Sequence, residues 1–143
     1  MLPTTLKFTV SGEPKGKARP RFTKGGHAYT DKKTESYENR VASEFSRNFP
    51  DWIPTDQCIY MNITAYFEPP KSMPKKYQRY VDHESLRYPK KVDFDNLEKI
   101  ICDALNHIAY KDDKQITDSH TIKRYSARLR TEITMILLED IDE

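Results

Sequence analysis

The sequence predicts an α+β domain in which a small mixed sheet of about four strands packs against two main helices. Two kinds of hydrophobic periodicity predict this class. Apolar residues alternate with polar ones in short segments, as in half-buried strands, and recur every three or four residues in longer ones, as in amphipathic helices. The 143 residues suit one domain with its own core, so residues 1–143 are treated as a single domain.

Four segments with alternating hydrophobicity predict the strands. The first covers residues 6–10, and the clearest covers residues 59–67, where every second residue is strongly apolar. Residues 115–125 and 129–138 predict two more strands, joined by a turn near Ser126. These segments supply the strands of the predicted sheet.

Two segments with helical spacing predict the main helices. The first helix follows Thr30 or Asp31, either of which can cap it, and it ends before Pro50. Its buried edge consists of residues spaced four apart: Tyr37, Val41, Phe45 and Phe49. The second helix has one apolar stripe: Leu97, Ile100, Ile101, Ala104, Leu105 and Ile108.

Residues 12–33 form a basic loop that contains all four glycines. Residues 15–33 hold seven bases and one acid. Forked guanidinium groups bind phosphate well, and Phe22 and Tyr29 can stack on bases or sugars. These features favour a nucleic-acid surface over the alternative, a mobile solvated loop. The residues expected to contact DNA here are Lys15, Lys17, Arg19, Arg21 and Lys24.

Residues 69–92 form a second basic segment, an insertion between the 59–67 strand and the second helix. Residues 71–91 contain seven bases, two acids and several tyrosines, with no steady period. A short helix can start within residues 73–77. We expect Lys75 and Lys76 to contact DNA, and a solvated linker is an equally weighted alternative.

Residues 93–118 form an acidic centre in an otherwise basic chain, with seven acids and three bases. Clustered carboxylates favour a Mg²⁺ site, because Mg²⁺ prefers carboxylate oxygens and completes its shell with water and phosphate. In phosphodiester hydrolysis such a metal polarises the phosphoryl group and ionises water. For Asp95 alone, a capping pair with Glu98 at the helix N-terminus is the favoured interpretation. For the acids as a group, metal binding is favoured.

Chain length bears on whether Asp113 can join Asp93 and Asp95. A helix over residues 97–106 is roughly 15 Å long, and the residues from 106 to 113 span up to about 25 Å when extended. The chain can therefore return to the start of the helix. A site shared between two chains is the other solution.

Bulk properties exclude several classes of protein. Net charge is +2, charged residues make up 32% of the chain and mean hydropathy is −0.85. No apolar run has the ~18 residues of a membrane span, and no secretory leader is evident, so a cytoplasmic location without membrane association is expected. Cys58 and Cys102 are isolated and, with four scattered histidines, offer no zinc-binding spacing. We expect both to be buried thiols.

The motifs of this chain resemble those of the RusA-type Holliday junction resolvases, in the same order from about Pro14 to Leu138. The matching runs are Pro14-Lys15-Gly16-Lys17-Ala18-Arg19-Pro20-Arg21, Asp93-Phe94-Asp95-Asn96-Leu97-x-Lys99, Asp103-Ala104-Leu105 and Asp112-Asp113-x-x-Ile116. The resemblance implies a homodimeric, Mg²⁺-dependent endodeoxyribonuclease that cuts four-way DNA junctions by paired nicks, in recombination and repair.

By position, the resemblance also implies roles for individual residues. Asp93, Asp95 and Asp113 would be the catalytic, metal-binding acids, and Lys99 a positively charged helper. Lys99 lies one helical turn from Asp95, where it can contact the scissile phosphate or form an i,i+4 ion pair. Asp103 and Asp112 would have supporting roles.

Two other functions compete with junction resolution. One is a less selective nuclease for flaps or other branched DNA, and the other is a non-catalytic module that binds branched DNA and uses its acids only to cap a helix. A twofold dimer is expected for a resolvase, because two cuts on opposing strands require two sites and one chain offers one acid cluster.

Overall fold

The computed structural model describes residues 4–90 and 92–139, which form an α+β fold. In chain order its elements are β1 (Thr5–Ser11), β2 (Arg21–Phe22), β3 (Ala28–Tyr29), α1 (Lys32–Asn48), β4 (Cys58–Phe67), α2 (Gln78–Asp82), α3 (Phe94–Leu105), β5 (Ile116–Tyr125) and β6 (Arg130–Leu138). The predicted class is confirmed. The main helices are α1 and α3, and α2 is a short addition.

A mixed four-stranded sheet forms the centre, in the order β1-β6-β4-β5. β6 runs antiparallel to both β1 and β4, whereas β4 and β5 are parallel. Parallel neighbours need a long crossover, and α3 lies in that crossover. The connection that carries the insertion and the acidic centre is therefore the one that joins the two parallel strands.

The core lies between the sheet and the two main helices. Apolar residues of α1 and α3 pack on those of β1, β4 and β6 in one cluster, and the rings of Phe8 and Phe45 meet edge to face at 5.6 Å. Asp31 caps α1, because its carboxylate accepts a hydrogen bond from the Thr34 backbone N–H at 2.8 Å. The expected buried edge of α1 is confirmed for Tyr37, Val41 and Phe45.

The basic loop contains a small hairpin in which β2 pairs with β3, so that Arg21 faces Tyr29 across the strands. Its residues, including Phe22, are exposed. The hairpin thus extends from the body of the domain with two aromatic rings in solvent.

The insertion docks on the sheet through its second half. A 3₁₀ turn at Lys75–Tyr77 leads into α2, within the stretch where a short helix is expected. The Tyr88 ring stacks on Phe67 with centroids 4.0 Å apart, and Val81 is buried. A fully solvated linker is therefore wrong for this half. Lys91 lies outside the described residues.

A buried ion pair fastens the insertion to β6. The Arg130 guanidinium donates to both carboxylate oxygens of Glu84, at 2.6 and 2.8 Å, and its carbon lies 3.9 Å from the centroid of the Tyr66 ring. The hydrogen bond from Arg130 lowers the pKa of Glu84 to about 2. The carboxylate therefore stays ionised in this partly buried position.

Within the described ranges, no helix is both long enough and apolar enough to cross a membrane.

Candidate functional site

The outer face of α3 and the start of β5 enclose a cleft of about 280 Å³. The apolar stripe of α3 is buried, which leaves residues at positions 95, 99 and 103, each one turn apart, on the side that faces the cleft. Five carboxylates line it: Asp95, Glu98, Asp103, Asp113 and Asp118. The acidic cleft, as we call it, thus gathers most of the acidic centre in one place.

Asp113 reaches the cleft because the chain turns back along α3 after Leu105. His107 adopts a left-handed conformation with φ 67°, which histidine tolerates better than most residues. The fully buried Tyr110 then donates its hydroxyl to the Cys102 carbonyl at 2.5 Å. The linker is long enough for this return within one chain, and the return places Asp113 in the same cleft as Asp95.

Asp112 fixes the backbone that carries Asp113. Its carboxylate accepts from the Lys114 N–H at 2.9 Å, while the Gln115 side chain accepts from the Asp112 N–H at 2.8 Å. Gln115 also donates to the carbonyls of Thr55 and Gln57. This capping box is built at the 3₁₀ turn Asp113–Gln115, so Asp112 orders the backbone next to Asp113.

Asp103 is held by two ammonium groups. Lys17 approaches its carboxylate to 3.1 Å and Lys99 to 3.6 Å. Partial burial opposes protonation of Lys17, but hydrogen bonds to Glu38 and Asp103 outweigh it and raise its pKa. The side chain of Lys17 is only 15% exposed, whereas that of Lys99 is 61% exposed. Lys17 therefore ties the basic loop to α1 and α3, and Lys99 remains accessible to a ligand in the cleft.

The capping interpretation of Asp95 is wrong. The N-cap of α3 is Asp93, whose side chain makes no capping hydrogen bond. Glu98 turns instead to β5, where it accepts from the hydroxyls of Ser119 at 3.2 Å and Thr121 at 2.8 Å. Asp93 is therefore the N-cap by backbone position only, and its carboxylate is not used in a capping hydrogen bond.

Asp93 lies in a groove beside the acidic cleft, where the basic loop meets the start of α3. The groove measures about 460 Å³, and its lining includes Lys15, Lys17, Asp93 and Asn96. Gly16 allows the close approach, because a Cβ there would lie 2.8 Å from a methyl group of Val92. The structure therefore brings Asp95 and Asp113 together in one depression and sets Asp93 in the neighbouring one.

A second groove continues from the first along α1. It shares Glu13 and Lys15 with the first groove and measures about 380 Å³. Its bases are Lys15, Lys32, Lys33 and Arg40. Sequence reasoning did not select Arg40, although positions 32, 36 and 40 repeat every four residues and so share one face of the helix. Arg19, Arg21, Lys24, Lys75 and Lys76 are exposed, as DNA contact requires.

The acidic cleft has a strongly negative field. Burial, together with the charges of Glu98, Asp103 and Asp113, raises the pKa of the half-buried Cys102 thiol to about 12. Asp118, which sequence reasoning did not single out, adds a further carboxylate and accepts from the Thr117 hydroxyl at 2.7 Å. Such a field attracts cations.

The donor chemistry of the cleft can be compared with the needs of a metal. Across residues 4–90 and 92–139, no three His, Cys, Asp or Glu side chains converge closely enough to hold one ion. Mg²⁺ is commonly held by one or two carboxylates, with water and substrate phosphates completing its shell. The pair Asp95 and Asp113 fits that kind of site.

The sequence of this chain matches one known protein family over most of its length. The profile of the family described as endodeoxyribonuclease RusA matches residues 11–136. A relative from Bacillus subtilis (strain 168), the uncharacterized protein YqaN, is 37% identical over 133 residues, which cover 90% of this chain and 93% of the relative. The match spans both grooves, the insertion and the acidic cleft, and the chain belongs to the RusA endodeoxyribonuclease family.

Proposed function

We propose that this protein is a Mg²⁺-dependent endodeoxyribonuclease that resolves four-way DNA junctions by paired nicks, in recombination and repair. Membership of the RusA family supports a nuclease of the Holliday junction resolvase type acting on branched DNA. The observation that carries the proposal is the acidic cleft beside two adjoining grooves, of which the one along α1 is lined by four bases. A DNA strand whose phosphates lie along the grooves would pass Asp93 and reach Asp95 and Asp113 in the cleft.

The residues in and around the cleft then take separate roles. Asp95 and Asp113, which line the cleft, would hold Mg²⁺, and the ion would polarise the scissile phosphate and activate water. Asp93 lies in the neighbouring groove, on the path of the strand. The exposed Lys99 ammonium neutralises charge that develops on the phosphoryl oxygens. Asp103 orients Lys99, and Asp112 positions the backbone of Asp113.

Synthetic DNA substrates test the proposal directly. The protein is incubated with four-way junctions, flaps and linear duplexes of the same sequence, with and without Mg²⁺. We expect symmetric nicks in the four-way junction only when Mg²⁺ is present. Equal cutting of flaps would favour a less selective nuclease, and binding without cutting would favour a non-catalytic module.

We predict that Arg19→Ala and Arg21→Ala each weaken the binding of every DNA substrate. Both residues are exposed on the basic loop, where a lost phosphate contact should lower the slope of log K against log salt by about one unit. Titrations between low and moderate salt measure this slope. Lys7→Ala is the matched control, because Lys7 is exposed on β1 at the opposite edge of the sheet from β5. Unchanged slopes in both arginine variants would favour a solvated loop.

We predict that the working unit is a twofold symmetric dimer. The described part of the chain has one acidic cleft. Two opposed nicks within one binding event need two clefts, and therefore two chains. Sedimentation equilibrium at micromolar concentration should give the dimer mass, and a supercoiled cruciform plasmid should be converted mostly to linear DNA. A monomer mass together with accumulating nicked circles would contradict the prediction.

A further inference from the structure

Phe94 is a large aromatic residue left in solvent beside the acidic cleft. It is the first residue of α3 and lies between Asp93 and Asp95 in the chain, and it is 62% exposed. The apolar residues that follow it on the same helix, from Leu97 to Leu105, are buried. Packing the ring would recover hydrophobic free energy, so a partner with a flat apolar face would gain from contact with it.

The surroundings of Phe94 decide what kind of partner suits it. Both neighbouring carboxylates are exposed, and an apolar protein surface that covered the ring would bury Asp93 and Asp95 with it, which is costly without counter-charges. Two copies that met through this point would also bring like charges together. A nucleobase avoids the burial cost, because it offers a flat apolar face and leaves the carboxylates at the solvated edge. The repulsion between these carboxylates and the backbone phosphates would be offset by the Mg²⁺ of the proposed function.

DNA shape determines when such a face is available. In continuous duplex each base pair is covered by its neighbours above and below, whereas at a branch point the terminal pair of an arm can expose one face. An aromatic side chain beside the cut site can therefore stack on branched DNA but not on continuous duplex. Stacking tolerates any sequence, because every base has a flat aromatic face.

We propose that Phe94 stacks on a base exposed at the branch point and thereby makes the acidic cleft selective for branched DNA. The inference rests on the proposed function, since it names the feature of the substrate that the same site recognises. Phe94 is a specificity-determining residue in this scheme and does not take part in hydrolysis.

Three variants test the stacking: Phe94→Ala, Phe94→Leu and Phe94→Trp. We expect Phe94→Ala and Phe94→Leu to bind the four-way junction about 10-fold more weakly or worse, from the measured worth of base–aromatic stacking, and to bind linear duplex as the unmodified protein does. Phe94→Trp should bind the junction as tightly as the unmodified protein does. Ile53→Ala is the control, because Ile53 is 80% exposed and lines neither the cleft nor the two grooves.

A fluorescent base at the branch gives a readout that a purely structural role would not change. With 2-aminopurine at the branch point, the unmodified protein and Phe94→Trp should change its fluorescence on binding, and Phe94→Ala should not. Equal junction-to-duplex preference and equal fluorescence in all variants would overturn the inference. So would a shift of Phe94→Ala to a lower mass in sedimentation, because the ring would then lie between copies.

These outcomes are separate from those that test nuclease activity. Binding and fluorescence need no cleavage, so failure of the unmodified protein to cut in Mg²⁺ would refute the proposed function and leave the stacking measurement in place. Cutting with unchanged selectivity in Phe94→Ala would refute the inference alone.

Discussion

Asp95→Asn and Asp113→Asn are expected to remove junction cleavage in Mg²⁺ while junction binding stays intact or becomes tighter. Both carboxylates line the acidic cleft, and an amide there is a poorer ligand for a hard cation. Without metal, an ionised carboxylate also repels the phosphate that must enter, whereas an amide does not. Cleavage in gels and binding by fluorescence anisotropy, measured on the same junction, separate the two effects.

The expected loss is large because a bound metal contributes several kcal/mol to transition-state stabilisation, which corresponds to roughly 10²–10⁴-fold in rate. Asp51→Asn is the control, since Asp51 is exposed and lines neither the cleft nor the two grooves. Near-normal cutting by both variants would show that the assignment of the metal site is wrong. Asp93→Asn, measured alongside, tells whether the metal site extends into the neighbouring groove.

Arg130→Met is expected to destabilise the fold by about 3–5 kcal/mol, because it leaves Glu84 without its partner in a partly buried position. Arg47→Met provides a matched comparison. Each arginine meets a carboxylate at 2.6 Å, but the side chain of Arg130 is 6% exposed and that of Arg47 is 74% exposed. The exposed pair should contribute less than about 1 kcal/mol. Urea unfolding of both variants measures the difference, and equal midpoints would contradict the role given to the buried pair.

The same ion pair predicts how stability depends on pH. The folded-state pKa of Glu84 is lowered to about 2, so its contribution is complete above the ordinary pKa of a glutamate and is lost as pH falls toward 2. The unmodified protein should therefore lose more free energy of unfolding between pH 5 and pH 2.5 than Arg130→Met does. Parallel curves would mean that Glu84 titrates normally.

The fold was largely predictable from local pattern. Alternation along residues 59–67 and 129–138 predicts β4 and β6 closely, since a strand with one buried face must alternate. The apolar stripe of α3 likewise predicts the face that is buried. The return of Asp113 was permitted by chain length, but the turn at His107 and the buried Tyr110 that direct it are visible only in the structure.

What sequence reasoning missed depends on contacts between distant residues. In the sequence, Lys17 is one more base in a basic loop. In the structure, Glu38 and Asp103 enclose its ammonium group. The sequence of the insertion is polar and irregular, and it gives no sign of docking, because the residues that the insertion contacts, such as Phe67 and Arg130, lie outside it. Asp118 has no periodic signature, since it is an exposed residue on an edge strand.

The two faces of α3 have a practical consequence. The buried face carries the packing and the solvated face carries carboxylates, so substitution of a carboxylate on the solvated face is expected to leave the folded scaffold unchanged. If the proposed function holds, an immobilised Asp95→Asn protein can then serve as an affinity reagent. DNA retained on such a column from a cell extract would report, by its shape, which branched intermediates the cell accumulates.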